Sequence, residues 1–261
     1  MELRTLLFKQ NDCYRAGQTI TPRGVMLHST GANNPWLKRY VGPDDGELGP
    51  NLYGNHWNRP GIKACAHAFV GKLANGSVAA YQTLPWDMRG WHCGRSGNST
   101  HIGMEICEDG LTDSVYFEAV WQEAASLTAI LCRQYGLNPL APGVVISHRE
   151  GHLLGIASNH GDIDHWLQKQ GKTMDQFRQR VNEILKGEVE MREEELVRLI
   201  DGRIRAHQKA QRFTTLEDVP AWGRDTVRRL VASGVLLGDG EGLNLSYDLL
   251  RTLVILDRMQ G

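Results

Sequence analysis

Two apolar runs in this chain end on a histidine: Val25-Met26-Leu27-His28 and Val144-Val145-Ile146-Ser147-His148. Runs this short, rich in branched residues and flanked by Gly, Pro or Asn, are strand-like. Further strand candidates are Ala66–Gly71, Val78–Gln82 and Ile102–Cys107. Between the last of these and the run at 144, residues 113–135 place Val115, Ala119, Leu127, Ile130 and Leu131 at helical spacing. Gly136 follows as the residue past the helix end. A second helix is predicted over Met174 to Lys186, with Thr173 as its N-cap. Strands interleaved with helices predict an α/β fold, a central mixed β-sheet flanked by helices.

The domain expectation is threefold. Residues 1–187 form the α/β domain. Residues 188–211 are a charged helical linker with a narrow stripe of Met191, Leu196, Leu199, Ile200 and Ile204, suited to an exposed or self-associating helix. Residues 212–261 form a small all-α C-terminal module of two helices around a glycine-rich loop. Its Asp218-Val219-Pro220-Ala221-Trp222 opening and Asn244-Leu245-Ser246 resemble S-layer-homology-type helical modules, which implies cell-wall binding. Oligomerisation, as a homodimer through this region, is the alternative.

Net charge is −1, so steering by nucleic acid is not expected. No apolar run approaches the roughly 20 residues of a membrane span, so no membrane insertion is expected. The first ten residues lack the h-region and cleavage site of a secretory signal peptide. The five cysteines are odd in number and scattered, which argues against a disulfide framework and against a four-cysteine zinc site.

On strand alternation, Met26 and His28 share one face and Val25 and Leu27 the other. His148 closes its own apolar run in the same way, and Asp162 lies two residues after His160 in a glycine-containing loop. Two imidazoles and a carboxylate would leave a tetrahedral zinc ion one open position. Glu105 interrupts the apolar segment Ile102-Gly103-Met104-Glu105-Ile106, where an unpaired carboxylate is costly unless it has a role. It is the candidate general base. Asn33, Asn34, Trp36, Trp57, Trp86 and Trp91 lie in loops near these strands, and indoles stack well on sugar rings.

In order along the chain, Val25-Met26-Leu27-His28-Ser29-Thr30, Ala66-His67-Ala68-Phe69-Val70, Gly90-Trp91-His92-Cys93-Gly94, Ile102–Ile106 and Ser147-His148…His160-Gly161-Asp162 resemble the zinc-dependent N-acetylmuramoyl-L-alanine amidases. These are the type 2 amidases related to peptidoglycan recognition proteins, and phage or prophage endolysins of Gram-positive hosts look most alike. The resemblance covers residues 20–185. It implies Zn2+ as cofactor, bacterial peptidoglycan as partner, and hydrolysis of the amide between N-acetylmuramic acid and L-alanine. Carried over by position, the metal ligands are His28, His148 and Asp162, with His160 catalytic as the oxyanion-stabilising group; Glu105 is the catalytic base read from its strand, and Asn33, Asn34, Trp36 and Trp91, read from their loops, are expected to bind substrate. In the family a Lys commonly precedes the third ligand by two residues. Here that position is His160, which leaves open a rival assignment with His160 as ligand and Asp162 behind it. Some members carry a Tyr base where this chain has Ala66. His152 and His165 are read as structural or substrate-contacting, and His67 and His92 as either site wall or core. The resemblance also implies accumulation in the host cytoplasm and holin-dependent release to the wall. The alternatives are a non-catalytic peptidoglycan-binding protein of the same fold, and a cysteine amidase using Cys65 or Cys93.

Overall fold

The protein is described from a computed structural model covering residues 3–210 and 212–260, without the side chains of 188–192, 204–210 and 260. Met191 and Ile204 of the expected stripe therefore lie outside the described side chains. The chain divides into two compact units, Met1–Val189 and Glu190–Gly261.

The first unit is built on a six-stranded sheet. Its strands are β1 (Leu3–Thr5), β2 (Gly24–Ser29), β3 (Ala68–Lys72), β4 (Val78–Gln82), β5 (His101–Ile106) and β6 (Val145–Ser147), in the order β1-β4-β3-β5-β2-β6. Only β3 and β4 run antiparallel, joined by a tight turn through Asn75-Gly76; the other pairs are parallel. Every residue of β2 and β5 is buried, as expected where a parallel sheet is covered on both faces.

Helices cover the sheet on different faces. α1 (Asp12–Ala16) is a short turn near the N-terminus, and α2 (Ser114–Tyr135) is the main covering helix. The Asp113 carboxylate caps α2 by accepting from the Tyr116 backbone N–H, and Gly136 ends it in the left-handed region. Its buried stripe is Tyr116, Phe117, Val120, Trp121, Ala124, Leu127, Thr128 and Leu131. Val115 is 81% exposed. The cap starts the first turn so that the inward face begins one residue later than Val115. This stripe packs on Val25, Leu27, Ile102, Met104 and Val145.

After β6 the chain enters α3 (His148–Leu153), α4 (Asp164–Lys169) and α5 (Met174–Ala210). Thr173 does cap α5: its hydroxyl accepts from the Gln176 N–H at 3.2 Å, and the Gln176 side chain accepts from the Thr173 N–H. Phe177 and Val181 reach the main core. The helix does not stop at Lys186. Gly187 costs about 1 kcal/mol in a helix interior, but the Glu, Lys, Arg and Leu residues around it are strong helix formers.

The second unit contains α6 (Ala221–Ala232) and α7 (Tyr247–Gln260) around Val219, Val227, Leu245, Leu250 and Val254. A two-residue antiparallel ladder, β7 (Arg212–Phe213) with β8 (Leu245–Ser246), ties the segment before α6 to the start of α7. Thr226 Oγ1 donates to Asp257 at 2.6 Å and ties α6 to α7. Leu196, Leu199 and Ile200 on α5 are exposed.

Candidate active site

Ligands in open α/β sheets bind beyond the carboxyl ends of the strands, and the chemistry of this chain gathers there. His28 is the penultimate residue of β2 and pairs in register with Glu105 on β5. The two side chains therefore leave the sheet on the same face, the one away from α2. His148 is the first residue of α3, immediately after β6. Its position is locked by a capping box: Ser147 Oγ accepts from the Glu150 N–H at 3.1 Å and Glu150 Oε2 accepts from the Ser147 N–H at 3.0 Å. Arg178 of α5 then grips both Glu150 oxygens, at 3.0 and 3.1 Å. The Ser-x-x-Glu spacing at 147–150 was the sequence signal for this rigid start.

His28 Nδ1, His148 Nδ1 and Asp162 Oδ2 converge. The edges of their triangle are 3.0 Å between the imidazoles, 3.1 Å from His28 to Asp162 and 3.4 Å from His148 to Asp162. Two imidazole lone pairs and a carboxylate this close repel one another unless a proton or a cation lies among them. Ligands about 2.0–2.1 Å from a tetrahedral zinc ion stand about 3.3 Å apart, so the donor set fits such an ion. Burial disfavours a charge on His28, partly opposed by Asp162. Burial alone would raise Asp162, but hydrogen bonds from His148 and His28 outweigh it and hold the carboxyl well below its usual range.

Around this triad lies a further ring of polar groups. His28 Nε2 is 2.9 Å from His92 Nδ1. His148 Nε2 is 3.2 Å from Ser158 Oγ, which is in turn 3.2 Å from His160 Nδ1. His160 is exposed, with its ring centre 4.9 Å from that of His148; it lies beside the triad, and Asp162 completes the triangle. Glu105 is buried, its Oε2 has no protein partner, and burial, reinforced by Asp162 and Glu108, pushes its carboxyl up to about 8.

Glu108 was not singled out in the sequence. It is buried, accepts from Ser29 Oγ at 2.5 Å and lies 2.9 Å from His165 Nε2, linking the end of β2 to α4. His67 is fully enclosed: Nε2 donates to the Met88 carbonyl at 2.7 Å and Nδ1 accepts from the Gly103 N–H at 2.9 Å. His152 is half-buried, its Nδ1 without a protein partner.

The four expected substrate contacts are spread out. Asn34 and Trp36 line a cavity of about 200 Å3 together with Arg39, Asn51, Tyr53 and Asn55. Asn33 is exposed and packs on Gly110. Trp91 pairs its backbone with Cys65 and packs, with Trp57, on a second core around Phe8, Phe69 and Tyr81. Trp86 packs on the main core. All five cysteines are free and buried, and burial pushes the Cys65 and Cys93 thiols up. That is the wrong direction for a thiolate nucleophile.

A parallel-rich α/β sheet with two imidazoles and a carboxylate at its carboxyl edge, and a buried acid in register beside them, defines a hydrolase with a candidate metal centre. The chain belongs to the N-acetylmuramoyl-L-alanine amidase family, which matches residues 18–165, and it is accordingly an amide-cleaving peptidoglycan hydrolase. No curated protein sequence matches it. Among solved structures it is similar to the Staphylococcus aureus hydrolase AmiA in complex with its ligand, 22% identical, covering 70% of this chain and 82% of that chain with a TM-score of 0.49. It is also similar to a mutant endolysin from Bacillus subtilis, 20% identical, covering 69% and 99% with a TM-score of 0.45. A third is the N-acetylmuramoyl-L-alanine amidase LysC from Clostridium intestinale, 14% identical, covering 66% and 99% with a TM-score of 0.39.

Proposed function

We propose that this amidase cleaves the bond between the lactyl group of N-acetylmuramic acid and L-alanine with a zinc ion held by His28 Nδ1, His148 Nδ1 and Asp162. The observation that carries this reading is the convergence of those three atoms inside the segment matched by the family. Zinc, when bound, supplies Lewis acidity, lowering the pKa of water toward about 7 and polarising a carbonyl. Glu105 takes the proton of the attacking water. Its high proton affinity, set by burial, suits it to hold that proton and then deliver it to the departing amine of L-alanine. His160, at the exposed side of the triad, donates to the oxyanion of the tetrahedral intermediate. The C–N bond breaks, the lactyl carboxylate forms, and Glu105 is ionised again. Asn34 and Trp36 are assigned to the glycan side of the substrate. The second unit, which has its own core, is assigned to wall binding or self-association.

The test is release of L-alanine amino termini from purified peptidoglycan, with chelator and with zinc added back. Loss and recovery of activity, abolished in His28→Ala, His148→Ala and Asp162→Ala, is the expected result. Cleavage that survives the chelator refutes the zinc reading, and wall binding without cleavage would leave a recognition protein.

A further inference from the structure

α5 continues as helix far beyond Phe177 and Val181, its residues in the main core. From Glu193 to Arg203 every residue is exposed. Helices in proteins owe most of their stability to packing an amphipathic face, and here such a face stands uncovered among the described residues. At about 100° per residue, Leu196, Val197, Leu199 and Ile200 share one arc about 160° wide. They are 57, 56, 60 and 47% exposed. Glu194, Glu195, Arg198 and Asp201 occupy the opposite arc, where Arg198 pairs with Glu194 at 3.8 Å.

The apolar arc ends on opposite charges. Glu193 stands one turn before Leu196 and Arg203 one turn after Ile200, both within the arc. Written as a heptad, Glu193 and Ile200 take a positions and Leu196 and Arg203 take d positions. A second copy running parallel would set Glu193 against the partner's Glu193 and Arg203 against the partner's Arg203. A copy running antiparallel, about a two-fold axis at residue 198, sets Glu193 against the partner's Arg203 at both ends and Leu196 against the partner's Ile200 between them. Val197 then meets the partner's Val197 on one flank, and Leu199 meets the partner's Leu199 on the other. The face is complementary to itself, in apolar pattern and in charge, in one direction only.

We propose that this face is a homodimer interface: residues 193–203 of α5 pair antiparallel with the same residues of a second copy. Leu196, Val197, Leu199 and Ile200 of both chains form the seam, and ion pairs between Glu193 and Arg203 close its two ends. The inference rests on the self-association role offered above for the second unit and is independent of the zinc reading. The seam is short, about 16 Å at 1.5 Å per residue, so the dimer exchanges with monomer as concentration changes. A pair brings two amidase units to one polymer, which makes attachment bivalent.

The experiment is sedimentation equilibrium of the full chain over a range of concentrations, with circular dichroism as the check on folding. A monomer–dimer equilibrium is expected in the parent. Ile200→Glu sets a carboxylate in the seam and should abolish it. Glu193→Arg alone, or Arg203→Glu alone, turns attraction at both ends into repulsion and should weaken pairing by about 10-fold or more. The double variant Glu193→Arg/Arg203→Glu restores opposite charges only in the antiparallel register, and should recover most of that loss. A parent that is monomeric at every concentration overturns the proposal. So does a dimer that survives Ile200→Glu, because its interface lies elsewhere, and so do single reversals whose loss the double variant does not recover. Should Ile200→Glu not fold, the charge series decides alone. Neither zinc nor cleavage enters the readout, so failure here leaves the amidase reading intact, and failure of the chelator test leaves the dimer intact.

Discussion

Replacing Glu105 with Gln should abolish hydrolysis and at the same time stabilise the metal-free protein, by an amount that depends on pH. The carboxyl is buried beside Asp162 and Glu108, with one oxygen lacking a protein partner, and burial raises it to about 8 from an ordinary 4.5. The folded state thus holds this proton more tightly than the unfolded chain does. The stability it contributes is fully present below about pH 4.5 and is lost as pH rises through about 8. At 1.36 kcal/mol per pH unit the loss across that window is about 5 kcal/mol. Gln does not titrate, so the difference between the two proteins should be constant below pH 4.5 and grow by about 3–5 kcal/mol toward pH 8.5. For a unit of this size that corresponds to roughly 10 °C or more in Tm. The assay is thermal unfolding in chelator at a series of pH values, followed by intrinsic tryptophan fluorescence. Six of the seven tryptophans lie in the first unit and report on it. A pH-independent difference, or a variant that loses stability relative to the parent as pH rises, would refute the argument that burial leaves this acid uncompensated.

Other expectations follow from the same geometry. Gly103→Ala sets a methyl 2.4 Å from the His92 ring; overpacking of this kind costs about 1–3 kcal/mol, and zinc affinity should fall with it, measured by urea unfolding and chelator competition. Ser147→Ala removes half of the capping box that starts α3, and should cost about 1 kcal/mol and weaken zinc binding through His148, whereas an unchanged zinc Kd would separate the cap from the site. His160→Ala should lower kcat by roughly 100-fold or more with little change in KM, and an equal rise in KM would indicate a binding role instead. A chain ending at residue 189 should still cleave a soluble muramyl peptide but sediment less with purified walls; equal sedimentation would remove wall binding as the role of the second unit.

His28 and His148 were legible because each closes an apolar run. Glu105 stood out because a lone carboxylate in a strand of Ile, Met and Cys is expensive. These are local signals. His92 carried none: its place beside the site depends on Gly103 lying against it and on His28, 64 residues earlier, standing 2.9 Å from it. Glu108 and Ser158 acquire their partners through loops whose course no periodicity encodes. Leu3-Arg4-Thr5 is too short to show alternation, so β1 becomes visible only through its pairing with β4. In α2 the residue pattern located the helix, but spacing alone does not say where the Asp113 cap starts the first turn, and Val115 faces outward. The ladder between Arg212–Phe213 and Leu245–Ser246 has two residues per strand, below the length at which any strand pattern exists.

The distances along the chain between the three converging side chains have a kinetic meaning. His28 lies 120 residues from His148 and 134 from Asp162, so the triad cannot form from a fragment that lacks either end of the stretch 28–162. A nascent chain still short of residue 162 has no complete site, however much of the sheet has formed. A cation held by these three groups would close the loop from residue 28 to residue 162, and it would bind only the folded form. It would therefore disfavour every opening that separates β2 from the segment after β6. Proteolytic nicking between residues 28 and 162 should be the earliest sign that the cation has gone.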